Sequence, residues 1–147
     1  MNYNLIKQNF TTGRIAEISW LKRLNKKYPS ILDNNIKDKY SSMDAISNEN
    51  GIIIEHEHKN RHTTNHYKYD GLMVNECKIT KSIKQLKKGI RQIFYWTCKD
   101  GLYYWELTDI EKQKNEILYY RNGNIKTGEG KRDVVDIKTK YLRRYED

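Results

Sequence analysis

The order of local signals predicts an α+β or α/β domain in which helices cover a central mixed sheet. Three observations point there. A stretch of helical periodicity opens the chain, a strand pair follows about Asn50-Gly51, and a basic amphipathic stretch leads into an aromatic strand pair about Asp100-Gly101.

The first helix is expected over "TTGRIAEISWLKRLNKKYPS", with Thr12 as its N-cap and Pro29 as its stop. Ile15, Ile18, Trp20, Leu21, Leu24 and Tyr28 recur at helical spacings and form the expected core stripe. Glu17 precedes Trp20 by three residues and Leu24 by seven, so a carboxylate lies on or beside that stripe.

"KYSSMDAIS" and "GIIIEHEHKN" then read as two strands joined through Asn50-Gly51, a pair that tolerates the positive φ angles of a two-residue hairpin turn. "ITKSIKQLKKG" sets Ile79, Ile83, Leu86 and Ile90 on one face with Lys81, Lys84 and Lys88 toward the other, and Gly89 suits the left-handed position after a helix end. "QIFYWTC" and "GLYYWELT" follow as a hairpin whose turn at Asp100-Gly101 would set Trp96 opposite Trp105. "EILYYRNGNIKT" is expected to form a third hairpin turning at Asn122-Gly123, and "DVVDIKTKYLRRYED" begins as a short strand.

A chain of 147 residues with 37% apolar content fits one domain spanning 1–147 with a modest core, at about 10–108, and a C-terminal β-hairpin extension over 109–147. Its start lacks the basic-then-apolar order of a signal peptide and no apolar run is long enough for a membrane, so an intracellular, soluble protein without membrane association is expected. Cys77 and Cys98 are too few for a disulfide framework and too far apart for a metal knuckle, and are expected as ordinary half-buried residues. Twenty-eight Lys plus Arg against nineteen Asp plus Glu give +9. That is the electrostatic footprint expected of a protein whose partner is a polyanion, nucleic acid before others. The abundance of Lys, Asn, Ile and Tyr with a single Pro also fits an A+T-rich coding sequence.

With Asn50 and Gly51 as turn residues, Glu49 pairs with Ile52, Ile46 lies opposite Glu55 and Asp44 lies opposite Glu57. Alternation then gathers Asp44, Glu55, Glu57 and Lys59 on one face and puts His56 and His58 on the other. Facing carboxylates repel. A hard divalent cation such as Mg²⁺ compensates them, since it takes one or two carboxylates and fills its shell with water and phosphate. Lys59 beside such an ion suits a scissile phosphate, and Glu17 could add a carboxylate if the first helix packs against this end of the hairpin.

Asp44, twelve intervening residues and then Glu57-His58-Lys59 after the apolar run Ile52-Ile53-Ile54 resemble the motif of the PD-(D/E)XK nuclease superfamily. The stretches "EHEHKNR", "YDGLMVNECKI" and "IFYWTCKDGLYYWEL" are similar to small members of that superfamily encoded by large DNA viruses, and the likeness covers Arg14 to Leu107. It implies a restriction-endonuclease-like core of α-β-β-β-α-β type and a nuclease, DNA before RNA, that uses Mg²⁺ or Mn²⁺. Asp44 and Glu57 would be metal ligands, Lys59 the catalytic lysine and Glu17 the helix acid, at once catalytic and metal-ligating. It also implies that two copies can pair to cut two strands, with the C-terminal hairpin as the candidate surface. Met43 departs from the motif where the name-giving Pro would stand, and Glu55 is an acid the motif does not require.

Other readings compete at each residue. The acids and Lys59 could be a solvated face joined by a surface ion pair worth about 0–1 kcal/mol. His56, His58, His62 and His66 could bind zinc in an interaction protein. The whole could be a catalytically inactive nuclease-fold module that only binds nucleic acid. Lys78, Lys81, Lys84, Lys88 and Arg61 are the candidate phosphate contacts, and Tyr95, Trp96, Tyr103, Tyr104 and Trp105 are core aromatics before they are stacking platforms. If phosphates are neutralised, affinity for nucleic acid falls steeply as salt rises. A titration between low and physiological salt checks this, and a flat profile would remove the polyanion.

Overall fold

The computed structural model describes residues 3–33, 43–120 and 133–147. Helix α1 spans Tyr3–Lys27, followed by strands β1 (Leu32–Asp33), β2 (Ala45–Glu49), β3 (Ile52–Arg61) and β4 (Gly71–Asn75). Helix α2 (Glu76–Lys87) leads to β5 (Arg91–Cys98) and β6 (Gly101–Leu107), then to the short α3 (Ile110–Gln113), β7 (Ile117–Tyr120), β8 (Val134–Lys138) and β9 (Arg143–Arg144). Six strands form a mixed central sheet in the order β1-β2-β3-β5-β6-β9, and β4-β8-β7 form a second sheet. The fold is therefore mixed α/β with helices flanking a central mixed sheet. Its one parallel pair among these strands is β3 with β5, joined by the crossover that contains α2.

α1 starts earlier than its cap signal suggests. Nothing between Tyr3 and Phe10 is a Gly or Pro, so the helix runs through Thr12, which is internal to it rather than at its start. It stops at Lys27, ahead of Pro29, as expected. Its buried face is narrower than the predicted stripe. Trp20, Leu24 and Tyr28 are buried four residues apart, whereas Ile15 and Ile18 are 62% and 39% exposed. At about 100° per residue those two isoleucines lie roughly 140° and 160° around the helix from Trp20, too far to reach the sheet.

The β2–β3 turn follows its chemistry closely. Asn50 and Gly51 have φ of 55° and 86°, the double positive φ of a tight hairpin, and the ladder runs from Glu49↔Ile52 through Ile46↔Glu55 to Ala45↔His56. α2 likewise ends as predicted. Gly89 adopts φ 84°, its N–H donates to the Leu86 carbonyl at 3.0 Å, and the Ile90 N–H donates to the Gln85 carbonyl at 3.2 Å.

The β5–β6 hairpin turns one residue earlier than predicted, at Lys99-Asp100. Cys98 pairs with Gly101, Trp96 with Tyr103 and Phe94 with Trp105, so the two tryptophans are not opposite one another. Asp100 explains the shift. Its carboxylate accepts from the His66 backbone N–H at 2.9 Å and from the Tyr103 hydroxyl at 3.1 Å, which fixes it inside the turn, while Gly101 takes the positive φ of 146°. The Asn122-Gly123 turn lies outside the described residues; β7 pairs antiparallel with β8, Tyr120 opposite Val134. Cys77 is exposed rather than half-buried, and Cys98 is buried.

Two cores result, one on each side of the central sheet. Trp20, Leu24, Ile54, Ile93 and Tyr95 pack on the α1 side. Phe94, Trp96, Trp105, Ile79, Val74 and Ile137 pack on the α2 side, with the small sheet as its outer wall. Tyr95, Trp96, Tyr103 and Trp105 are core residues, and Tyr104 is half-buried. The Trp96 indole donates to the Met73 carbonyl at 3.3 Å and ties the two sheets together. Among the described residues no helix is long and apolar enough to cross a membrane.

Gly71 marks a close approach between β4 and β8, since a Cβ there would overlap the Ile137 carbonyl. Gly71→Ala should therefore lower stability by about 1–3 kcal/mol. A urea midpoint unchanged from wild type would contradict this close contact.

Candidate active site

The site grows out of the alternation of β3. Glu55 and Glu57 fall on the α2 side of the sheet, His56 and His58 on the α1 side, and all four are buried. In the parallel ladder Glu55 lies beside Gln92, Glu57 beside Phe94 and Lys59 beside Trp96. The acids are thus set into the apolar wall of the larger core.

Asp44 comes immediately before the first paired residue of β2, and one further step of the ladder places it across from Glu57. Its Oδ2 accepts from the His58 backbone N–H at 2.8 Å, so the carboxylate itself closes this end of the strand pair. Lys78, in the first turn of α2, brings Nζ to 3.4 Å from Glu57 Oε2. Burial, and after it the Asp44 charge, push the Glu57 carboxyl up to about 8; Lys78 and Lys59 pull the other way without overcoming them. Asp44, Glu57, Lys59 and Lys78 therefore form one electrostatic cluster.

Glu55 is not part of it. Its Oε1 accepts from Gln92 Nε2 at 2.8 Å and from Gln85 Nε2 at 3.1 Å, so the extra acid ties β3 to β5 and to α2. Glu17 sits on α1, the helix that covers the histidine face, and its Oε1 accepts from Arg14 at 2.9 Å, with Arg14 reaching Asp33 at 2.6 Å. Among the described residues no group of three or more His, Cys, Asp or Glu side chains is gathered to hold an ion, so Glu17 does not complete a three-carboxylate set with Asp44 and Glu57. Two carboxylates remain. Hard oxygen donors in that number suit Mg²⁺, which leaves most of its shell to water and phosphate.

The histidines do other work. His56 is fully buried, with Nδ1 2.9 Å from the Tyr95 hydroxyl and Nε2 2.9 Å from the Ser47 hydroxyl, and burial lowers its pKa to about 3. His58 stacks on Trp20 with ring centroids 4.9 Å apart, its Nε2 lies 2.7 Å from Thr97 Oγ1, and burial lowers it to about 4. His66 pairs with Asp100 and stacks on Tyr103, and His62 is exposed. These rings pack and hydrogen-bond at separate places, against a shared zinc site.

Of the basic candidates, Lys81, Lys84 and Lys88 are exposed and continue the Lys78 row along α2 at spacings of three and four residues. Lys78 differs from them because it engages Glu57. Arg61 ends β3 on the Glu57 face and lines a cleft of about 450 Å³ with Thr64, Tyr69, Asp70 and Met73. Sequence reasoning missed Gln85 and Gln92 as partners of Glu55, and Lys78 as the partner of Glu57. Alternation could mark which side of β3 carries the acids, but the parallel β3–β5 register that brings Gln92 to Glu55 leaves no local pattern.

The raised Glu57 has a pH signature. Between about pH 4.5, where the unfolded carboxyl ionises, and about pH 8, the native state keeps a proton the unfolded chain has lost, so stability falls as pH rises and levels off above about 8. Glu57→Gln should remove that slope, matching wild type near pH 4 and exceeding it at pH 9 by an amount on the order of several kcal/mol. Parallel stability profiles in chemical denaturation would contradict the buried, protonated carboxyl. Compared with family models, curated proteins and solved structures, the chain matches none.

Proposed function

We propose that this protein is a metal-dependent nuclease of the PD-(D/E)XK type, acting on DNA with Mg²⁺ or Mn²⁺. The observation that carries the reading is the meeting of Asp44, Glu57 and Lys59 on one face of a two-strand unit, with Glu57 in electrostatic contact with Asp44 and with two lysines. The topology supports it. A helix precedes an antiparallel ladder of β1, β2 and β3, and a crossover through α2 delivers β5 parallel to β3, which is the α-β-β-β-α-β order with β4 inserted before α2.

Asp44 and Glu57 would hold the ion, which when bound supplies Lewis acidity toward water and phosphate. The chain's own groups do the rest. The His58 N–H fixes one oxygen of Asp44 and so orients the carboxylate. Lys59, on the Glu57 face, places a fixed ammonium where charge grows on phosphorus oxygens. Lys78 contacts the Glu57 carboxyl at rest and stands at the head of the row Lys81, Lys84 and Lys88, which suits a phosphate backbone running away from the acids. Loss of the Glu57 proton would accompany metal binding, so at limiting Mg²⁺ activity should rise with pH toward about 8.

One observation favours a second reading, a nucleic-acid-binding module that does not cleave: the Glu57 carboxyl keeps its proton and contacts Lys78. Cleavage separates the two. On a panel of branched, nicked, single- and double-stranded DNA and RNA with Mg²⁺ or Mn²⁺, Asp44→Ala, Glu57→Ala and Lys59→Ala should each lose at least about 100-fold in rate while remaining folded. Full activity in any one of them would overturn the assignment, and an inactive wild type would favour the module.

A further inference from the structure

A groove of about 630 Å³ opens where β5, β6 and β9 meet the end of α1, and most of it lies on the histidine side of the central sheet, away from Asp44 and Glu57. Lys27, Lys112, Lys140 and Arg143 line it, all exposed, and none of the four has an ion-pair partner among the described residues. The two acids in its wall are engaged. Glu106 is gripped by Arg91 through hydrogen bonds of 2.9 and 2.8 Å, and Glu116 accepts the Trp105 indole N–H at 2.6 Å. The groove thus carries a net positive charge that its own residues do not neutralise.

It also carries aromatic surface. Tyr104 and Tyr141 are half-buried in its wall, and Lys140 lies 5.1 Å from the Tyr141 ring centroid. Half-exposed tyrosines between unpaired cations match a chain of phosphates bearing flat faces. A duplex would present its phosphates but keep its bases stacked inside. We infer that this groove is a second nucleic-acid site, which takes an unpaired stretch of a single strand, with Lys112, Lys140 and Arg143 on phosphates and Tyr104 and Tyr141 against bases. The inference rests on the nucleic-acid reading above and names the structure of the substrate: a junction, flap or end whose single-stranded arm passes behind the sheet.

Fluorescence anisotropy with the full chain in EDTA tests binding without cleavage, so it decides this inference whether or not the protein cuts. The probes are a labelled ten-nucleotide oligothymidylate and an abasic backbone of the same length. Lys112→Glu with Lys140→Glu should weaken oligothymidylate binding at least tenfold, Lys68→Glu with Lys99→Glu, at two exposed lysines that do not line the groove, less than threefold, and the abasic backbone should bind the wild type at least tenfold more weakly than oligothymidylate. Tyr141→Leu, which leaves the charges in place, should bring thymidylate binding down toward the abasic level. Unchanged binding by the groove variant, or equal binding of the two probes, would overturn the site.

Discussion

A carboxyl group set into an apolar wall beside a second carboxylate is the constraint on which the site depends. Glu57 is 5% exposed, faces the core that holds Phe94 and Trp96, and has Asp44 as its neighbour across the strand pair. Such a group would be costly as a lone charge. The structure relieves it in three ways: Glu57 keeps its proton, Lys78 contacts it from α2, and Asp44 is held by a backbone N–H rather than left to repel freely. A divalent cation would replace the first two with one stronger partner and would favour the charged form. The tension of the resting cluster and the chemistry proposed for it therefore have the same origin.

The central sheet divides the labour between its faces. On the α1 side, neutral histidines are absorbed into packing, His56 between two hydroxyls and His58 against Trp20, so that residues with catalytic potential serve as polar core. On the α2 side, the acids meet the lysines. Glu55 shows how finely this is drawn, since two residues from Glu57 on the same face it is satisfied by the amides of Gln85 and Gln92. The same acid type is a strut at one position and a candidate ligand at the next.

Much of this was legible in the sequence. Asn50-Gly51 fixed the β2–β3 register because both residues accept positive φ, and alternation then separated acids from histidines. Gly89 ended α2 for the same kind of local reason. Where tertiary contacts decided, local signals failed. Asp100 is drawn into the β5–β6 turn by His66, thirty-four residues earlier, and that moved the ladder by one residue. The width of the α1 stripe was misjudged because Ile15 and Ile18 have the right chemistry at the wrong angle. The placement of Glu17 depends on which side of the sheet α1 covers, a packing choice with no local trace.

The most direct measurement is the anomalous density of a crystal soaked in Mn²⁺. A metal-dependent nuclease places a peak between the carboxylates of Asp44 and Glu57, with Lys78 Nζ drawn away from Glu57. Density free of any such peak, with Lys78 still against Glu57, would contradict the account.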